Sequence, residues 1–282
     1  DSPFEGVAAP QPFSKREEGA MEEKKNAAPL VVKLSGKALG AEKELERLCR
    51  ELKSAGRAFL LVHGGGVAVD RLMADLGIEV RRVRGLRVSP AEEMPLIAGA
   101  LAGTCSLALR SAAVRAGLSP LGLAVTDGGM CNVLPEDPEL GRVAKTAPGN
   151  EEARARLLSL LDAGWLPVIS SVGLDAEGRL WNINADDAAL SIAELLGAPL
   201  IFLSDVRGVL DGDMRLIPEL TPESTEVLVR DGVITAGMVV KMNAAFAASR
   251  ATGAPVSIAS IFDDAVPRLL LEGKFPGTVC RV

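Results

Sequence analysis

A lysine beside a glycine turn, Lys33-Leu34-Ser35-Gly36, directly follows the apolar run Leu30-Val31-Val32. A second glycine turn, His63-Gly64-Gly65-Gly66, follows Phe59-Leu60-Leu61-Val62 about one crossover unit later. Bare backbone N–H groups at glycine and the N-termini of helices receive anions, and phosphate is the favoured one. Two strands that each end in a glycine turn beside a basic residue therefore predict an anion site at the carboxyl edge of a parallel sheet. Taken singly, either turn is equally an ordinary strand end, with Lys33 on the surface. Neither matches GxxxxGK[ST] or GxGxxG, the usual mononucleotide and dinucleotide fingerprints.

Three more segments carry chemistry. In Trp181-Asn182-Ile183-Asn184-Ala185-Asp186-Asp187 a loop rich in Asn and Asp precedes an Ala-rich helix. Capping accounts for Asn184, with Asp187 in the first turn. It does not need Asn182 or Asp186, and an acid there can orient two lysines as a fixed negative post. Ser204-Asp205-Val206-Arg207-Gly208-Val209 closes a strand that starts at Leu200. Gly237-Met238-Val239-Val240-Lys241 opens a helix with Lys241 in its first turn, against the macrodipole. A bound anion would remove that conflict; a solvated lysine is the other reading.

The elements that must position these residues alternate. Helical spacing of apolar residues predicts helices over 41–56, 67–77, 91–116, 151–163, 185–196, 220–231 and 237–252. Short apolar runs predict strands over 121–125, 167–172, 200–203, 256–260 and 278–282. The basic segment 79–88, broken by Gly85, reads as a hairpin, and Thr126-Asp127-Gly128-Gly129 as a turn. Alternating strands and helices predict an α/β fold with one mainly parallel central sheet covered by helices on both faces.

Composition bounds the partners. The 282 residues are 48% hydrophobic and only 3% aromatic, so Ala, Val, Leu and Ile must fill the core. A net charge of −6 argues against nucleic acid or an anionic membrane as partner, though not against a small anionic substrate met by a local basic cluster. Four dispersed cysteines and a single histidine offer no zinc set and read as reduced thiols. No apolar stretch is expected to reach the roughly 18 residues of a membrane span. Residues 1–28 read as a disordered leader, with 1–20 foreign to a plausible native start at Met21.

Together, in this order and at these separations, KLSG, HGGG, NINAD, SDVRGV and GMVVK resemble the amino acid kinase family from about Leu30 to Val282. Gly85-Leu86-Arg87-Val88, Gly99-Ala100-Leu101-Ala102-Gly103 and Asp127-Gly128-Gly129 carry the likeness further, towards the branch that phosphorylates N-acetylglutamate. Ser35 departs from that branch's usual glycine, and Lys37 is an extra cation. The resemblance implies a three-layer αβα sandwich over 29–282, with an acceptor lobe over about 29–175 and a nucleotide lobe over about 176–282. It implies ATP-dependent phosphorylation of the γ-carboxylate of N-acetyl-L-glutamate, a step of arginine biosynthesis. A sibling kinase for another acylated amino acid or small acid, or a degenerate sensor, is the alternative. By the same resemblance Lys33 and Lys241 neutralise the moving phosphoryl group, and Asp186 holds both lysines. Gly64, Gly65, Gly66, Arg87 and Asn182 bind the acceptor. Gly36, Ser204, Asp205, Val206, Gly208, Gly237 and Met238 bind the nucleotide. Mg²⁺ comes with ATP and needs no side-chain ligand. A cytoplasmic homodimer without strong arginine feedback completes the expectation.

Overall fold

Alternate residues of the strand Leu30–Leu34 (β1) enter different cores: Val31 joins one, while Leu30, Val32 and Leu34 join the other. This two-sided burial is what a strand covered by helices on both faces requires. The computed structural model describes residues 28–35, 38–234 and 236–282. Residues 1–27 of the expected leader, together with Gly36 and Lys37, lie outside the described residues.

Helix Glu42–Ser54 (α1) buries Leu45, Leu48, Cys49 and Leu52, the stripe its sequence spacing predicts. It leads to Phe59–His63 (β2), parallel to β1 with Leu34 opposite His63. The central sheet has eight strands. From one edge they run Glu219–Leu220 (β12), Thr278–Cys280 (β14), Val256–Ser260 (β13), Leu200–Ser204 (β11), β1, β2, Trp165–Ser170 (β8) and Ser119–Ala124 (β5). Only β13 and β14 pair antiparallel. Because β11 pairs directly with β1, one sheet crosses both expected lobes. The chain leaves β1 towards β2 on one side and β11 towards β13 on the other. The carboxyl ends of β1 and β11 therefore flank a topological switch point, where such sheets open a crevice for ligands.

Several elements depart from the sequence expectation. A second, four-stranded sheet joins Cys131–Pro135 (β6), Val143–Pro148 (β7), Leu180–Ile183 (β10) and Val172–Leu174 (β9). Asn182 consequently sits on β10 and not in a loop, paired in register with Val143 and Val172. Leu220 belongs to β12, and the following helix is Pro222–Arg230 (α7). Ala265–Leu271 (α9) is an additional helix. The helix Ala236–Thr252 (α8) makes Lys241 its sixth residue, in the second turn, where the macrodipole is weaker.

Two predicted features take a more specific form. The basic segment is a hairpin of Arg82–Val83 (β3) and Leu86–Arg87 (β4). Arg84 and Gly85 turn it with φ of 51° and 82°, the two positive values of a tight hairpin turn. The helical run Ala91–Arg115 is long and apolar enough, by length and composition, to cross a membrane, contrary to the expectation for this chain. Within the fold its Met94, Ile97, Leu101 and Leu109 are buried core residues. Between its α-helical parts Met94–Ala98 (α3) and Ser106–Arg115 (α4), Gly99–Cys105 forms a π-helical turn, a wider coil often found beside functional sites.

Candidate functional site

Lys33 is the one partly exposed residue of β1, near its carboxyl end, with Val62 and Phe202 as register partners on β2 and β11. Its ammonium lies 2.6 Å from Asp186 Oδ1. The contact is an ion pair by distance and makes no aligned hydrogen bond. Asp186 occupies the first turn of Ala185–Leu196 (α6), whose N-cap is Asn184. Asn184 Oδ1 accepts the Asp186 backbone N–H at 2.9 Å. Capping thus falls to Asn184 and leaves the Asp186 carboxylate for Lys33.

Beside this pair opens a cavity of about 320 Å³, walled by Lys33, Ser35, the glycines 64–66, Arg87 and Asn182. Val69, Ile97 and Leu101 add apolar wall. Gly65 starts the helix Gly66–Asp75 (α2) from extended backbone, φ 169°. A Cβ there would stand 2.6 Å from Cys105 Sγ and 2.8 Å from Leu101 Cδ2, so the π-helical turn packs against bare backbone. A Cβ on Gly64 would stand 3.1 Å from the Ala185 Cβ. The glycine turn is wedged between the π-turn and the start of α6.

Arg87 is 7% exposed. Its Nη2 donates to Asp70 Oδ1 at 2.6 Å and to the Gly66 carbonyl at 3.0 Å. Its Nη1 is buried with no hydrogen-bond partner among the described residues. A buried guanidinium nitrogen without an acceptor is costly, and an anionic ligand would satisfy it. Asn182 Nδ2 donates to Ser89 Oγ at 2.9 Å, and Ser89 Oγ donates to the Arg87 carbonyl at 3.2 Å. His63, fully buried, bonds the Gly64 carbonyl through Nδ1 at 2.8 Å. Burial pulls its pKa down to about 4; the Gly64 bond opposes this and the Arg110 charge adds to it. The imidazole is neutral near pH 7, so Nδ1–H is the donor.

Lys33 and Asp186 also border a second, small cavity with Ser204 and Ala244, in the crevice between β1 and β11. Beyond it a cavity of about 510 Å³ is walled by Asp205, Val206, Gly208, Val233, Ile234 and Met238. The predicted residues therefore gather in three adjoining spaces. One holds Lys33, Gly64, Gly65, Gly66, Arg87 and Asn182; another Lys33, Asp186 and Ser204; the last Asp205, Val206, Gly208 and Met238. Gly36 and the Lys241 side chain lie outside what is described, and Gly237 is the second residue of α8. Among the described residues no three His, Cys, Asp or Glu side chains cluster as metal ligands.

Sequence reading missed Asp70, Ser89, Leu101 and Cys105 as supports of the site. Asp70 had a local signal: it stands four residues after Gly66, one helical turn beyond the glycines. The others reach the site only through tertiary packing.

The sequence pattern of the amino acid kinase family matches residues 28–260. An acetylglutamate kinase of Serratia proteamaculans is 48% identical over 236 residues, 82% of this chain and 91% of the relative. One from Vibrio campbellii is 46% identical over 239 residues, covering 83% and 90%. The solved structure of smu.665 from Streptococcus mutans is similar with a TM-score of 0.71 at 26% identity, covering 89% of this chain and 98% of that one.

Proposed function

The chain belongs to the amino acid kinase family, and from that premise we propose that it transfers the γ-phosphoryl group of ATP to the γ-carboxylate of N-acetyl-L-glutamate. A carboxylate oxygen attacks the γ-phosphorus, the β,γ-bridging P–O bond breaks, and ADP leaves with an acyl phosphate as the other product. The acceptor is already ionised near pH 7, so no proton has to move and no general base is required. The neutral, buried His63 suits such a reaction by taking no part in it.

The catalytic burden is positioning and charge neutralisation. Lys33 and Lys241 receive the phosphoryl oxygens, with Asp186 setting Lys33 in place. The backbone N–H groups of the glycines 64–66 face the acceptor, Arg87 Nη1 takes its α-carboxylate, and Asn182 fixes the same end. Gly36, Ser204, Asp205, Val206, Gly208, Gly237 and Met238 hold the nucleotide. Mg²⁺ would come with ATP, carried by phosphate oxygens and water. When bound, it supplies further neutralisation of the phosphate charge. We further place the enzyme in the cytoplasm as a homodimer serving arginine biosynthesis, with an acceptor lobe over 29–175 and a nucleotide lobe over 176–282.

The observation that carries this reading is the Lys33–Asp186 pair: it borders the crevice at the sheet's switch point, and its Lys33 also lines the cavity holding Arg87. Purified protein with MgATP should release ADP only when N-acetylglutamate is added, and hydroxylamine should trap the acyl phosphate. Turnover no faster with N-acetylglutamate than without any acceptor would refute it.

A further inference from the structure

Arg82 and Arg87 are direct cross-strand partners on the hairpin, and both border the 320 Å³ cavity. Like charges placed opposite each other destabilise a strand pair. This pair has only two residues per strand, too little to hold itself. Asp70, reaching over from α2, resolves both problems. Its Oδ1 accepts from Arg87 Nη2 at 2.6 Å and from Arg82 Nη2 at 3.1 Å, and its Oδ2 accepts from Arg82 Nη2 at 2.7 Å. Arg84 and Asp137, 2.6 Å apart, tie the outer side of the hairpin.

We propose that Asp70 is the positioning residue of the acceptor site: one carboxylate that latches the hairpin onto α2 and presents the unpartnered Arg87 Nη1 to the acceptor's α-carboxylate. This role for Asp70 rests on the proposed reaction. Asp70 occupies the Arg87 nitrogen nearest the helix, and the Gly66 carbonyl shares it. The buried Nη1 is left without a partner among the described residues and is available to a ligand. Two guanidinium groups against one carboxylate leave a net positive charge at the cavity wall, enough to attract one carboxylate. Asp70 also couples the glycine turn to the hairpin, because α2 begins at Gly66.

The test compares Asp70→Asn with the unaltered chain on two acceptors, N-acetylglutamate and 4-acetamidobutyrate, which lacks the α-carboxylate. Asp70→Asn should raise KM for N-acetylglutamate roughly ten- to hundredfold, the worth of a charged hydrogen bond. It should leave kcat and the KM for ATP nearly unchanged and spare 4-acetamidobutyrate. Asp70→Glu should recover part of the loss. A merely structural role would weaken both acceptors alike, and that result, or no change, overturns the proposal. Amide hydrogen exchange across residues 82–87 reads the latch without turnover: exchange should quicken in Asp70→Asn, and unchanged exchange is refuting. Should Asp70→Asn fail to fold, Arg82→Gln carries both measurements, with a smaller KM rise confined to N-acetylglutamate. If the unaltered chain turns over neither acceptor, the assigned reaction fails while the exchange comparison still decides on Asp70.

Discussion

Substituting alanine at Gly65 and at Gly66 separates packing from chemistry within one turn. Gly65 has φ 169°, outside the left-handed region that favours glycine, and the predicted cost is the contact its new Cβ would make. The new Cβ would meet Cys105 Sγ at 2.6 Å and Leu101 Cδ2 at 2.8 Å. Ordinary contacts lie near 3.5–4 Å, so the π-turn has to retreat by about 1 Å. Leu101 and Cys105 are 3% and 6% exposed, which leaves little room to yield. Overpacking of this kind costs about 1–3 kcal/mol. For a chain of this size that lowers Tm by roughly 2–10 °C. At Gly66 the same methyl meets no heavy atom within 4 Å. Gly66 is the first residue of α2, where alanine is the better helix former, so stability should hold or rise slightly. Gly66 also borders the cavity, so its methyl should raise KM for N-acetylglutamate. Thermal unfolding followed by circular dichroism, run beside steady-state kinetics, reads both effects. Cys105→Ala in the Gly65→Ala background should return part of the lost Tm, since it removes the nearest atom. A Gly65→Ala protein as stable as its parent, or a Gly66→Ala protein less stable than Gly65→Ala, would refute the reasoning.

Three further outcomes follow from the same geometry. Asp186→Asn removes the anion facing Lys33 while leaving the Asn184 cap in place, so kcat should fall roughly a hundredfold or more with little change in Tm; equal losses in kcat and Tm would count against an electrostatic role. Asn184→Ala deletes the side chain that accepts the Asp186 N–H and should cost about 1 kcal/mol in urea unfolding, with activity falling through misplacement of Asp186; an unchanged midpoint would contradict the capping geometry. His63 is held at a pKa of about 4, below its value in an unfolded chain. Its contribution is therefore fully present above about pH 6.5 and lost as pH falls towards 4, by roughly 3 kcal/mol in all. Urea midpoints across that window should fall less steeply in His63→Gln than in the parent, and parallel slopes would assign the acid sensitivity to other groups.

Strands with a uniform environment were legible. β1, β2 and β11 are apolar runs buried on both faces, Lys33 of β1 excepted, and each ends where the sequence turns to glycine or polar residues; β13 is buried throughout and keeps Val256, Ile258 and Ala259 between its serines. The four-stranded sheet was not, because its strands are short and chemically mixed. β6 ends in Pro135 and exposes Leu134, and β7 carries Lys145 and ends in Pro148. Neither run is apolar or cleanly alternating, so only pairing with its neighbours makes it a strand. The π-turn was hidden for a related reason. Gly99–Cys105 carries two glycines, which weaken a helix without specifying a π-turn, and its Leu101 and Cys105 pack over the bare backbone of Gly65, a contact that only the fold supplies.

The same distinction explains why Asp186 was ambiguous in sequence and is not in the fold. Capping and charge orientation compete only if one side chain must do both. In NINAD the two tasks fall to neighbours, and the spacing decides which does which. Asn184, with φ −65° and ψ 124°, stands outside the helix, where its Oδ1 can reach back to the N–H two residues on. Asp186 is already helical, so its own N–H is the one being capped and its carboxylate is free to leave the axis. β1 ends beside that helix start, which brings Lys33 to the freed carboxylate. A single-residue shift of the cap would cost the helix its first hydrogen bond and remove the anion from Lys33 together. The Asn184→Ala experiment is therefore informative in both readouts: loss of stability without loss of kcat would separate the cap from the charge, and the geometry requires them to fall as one.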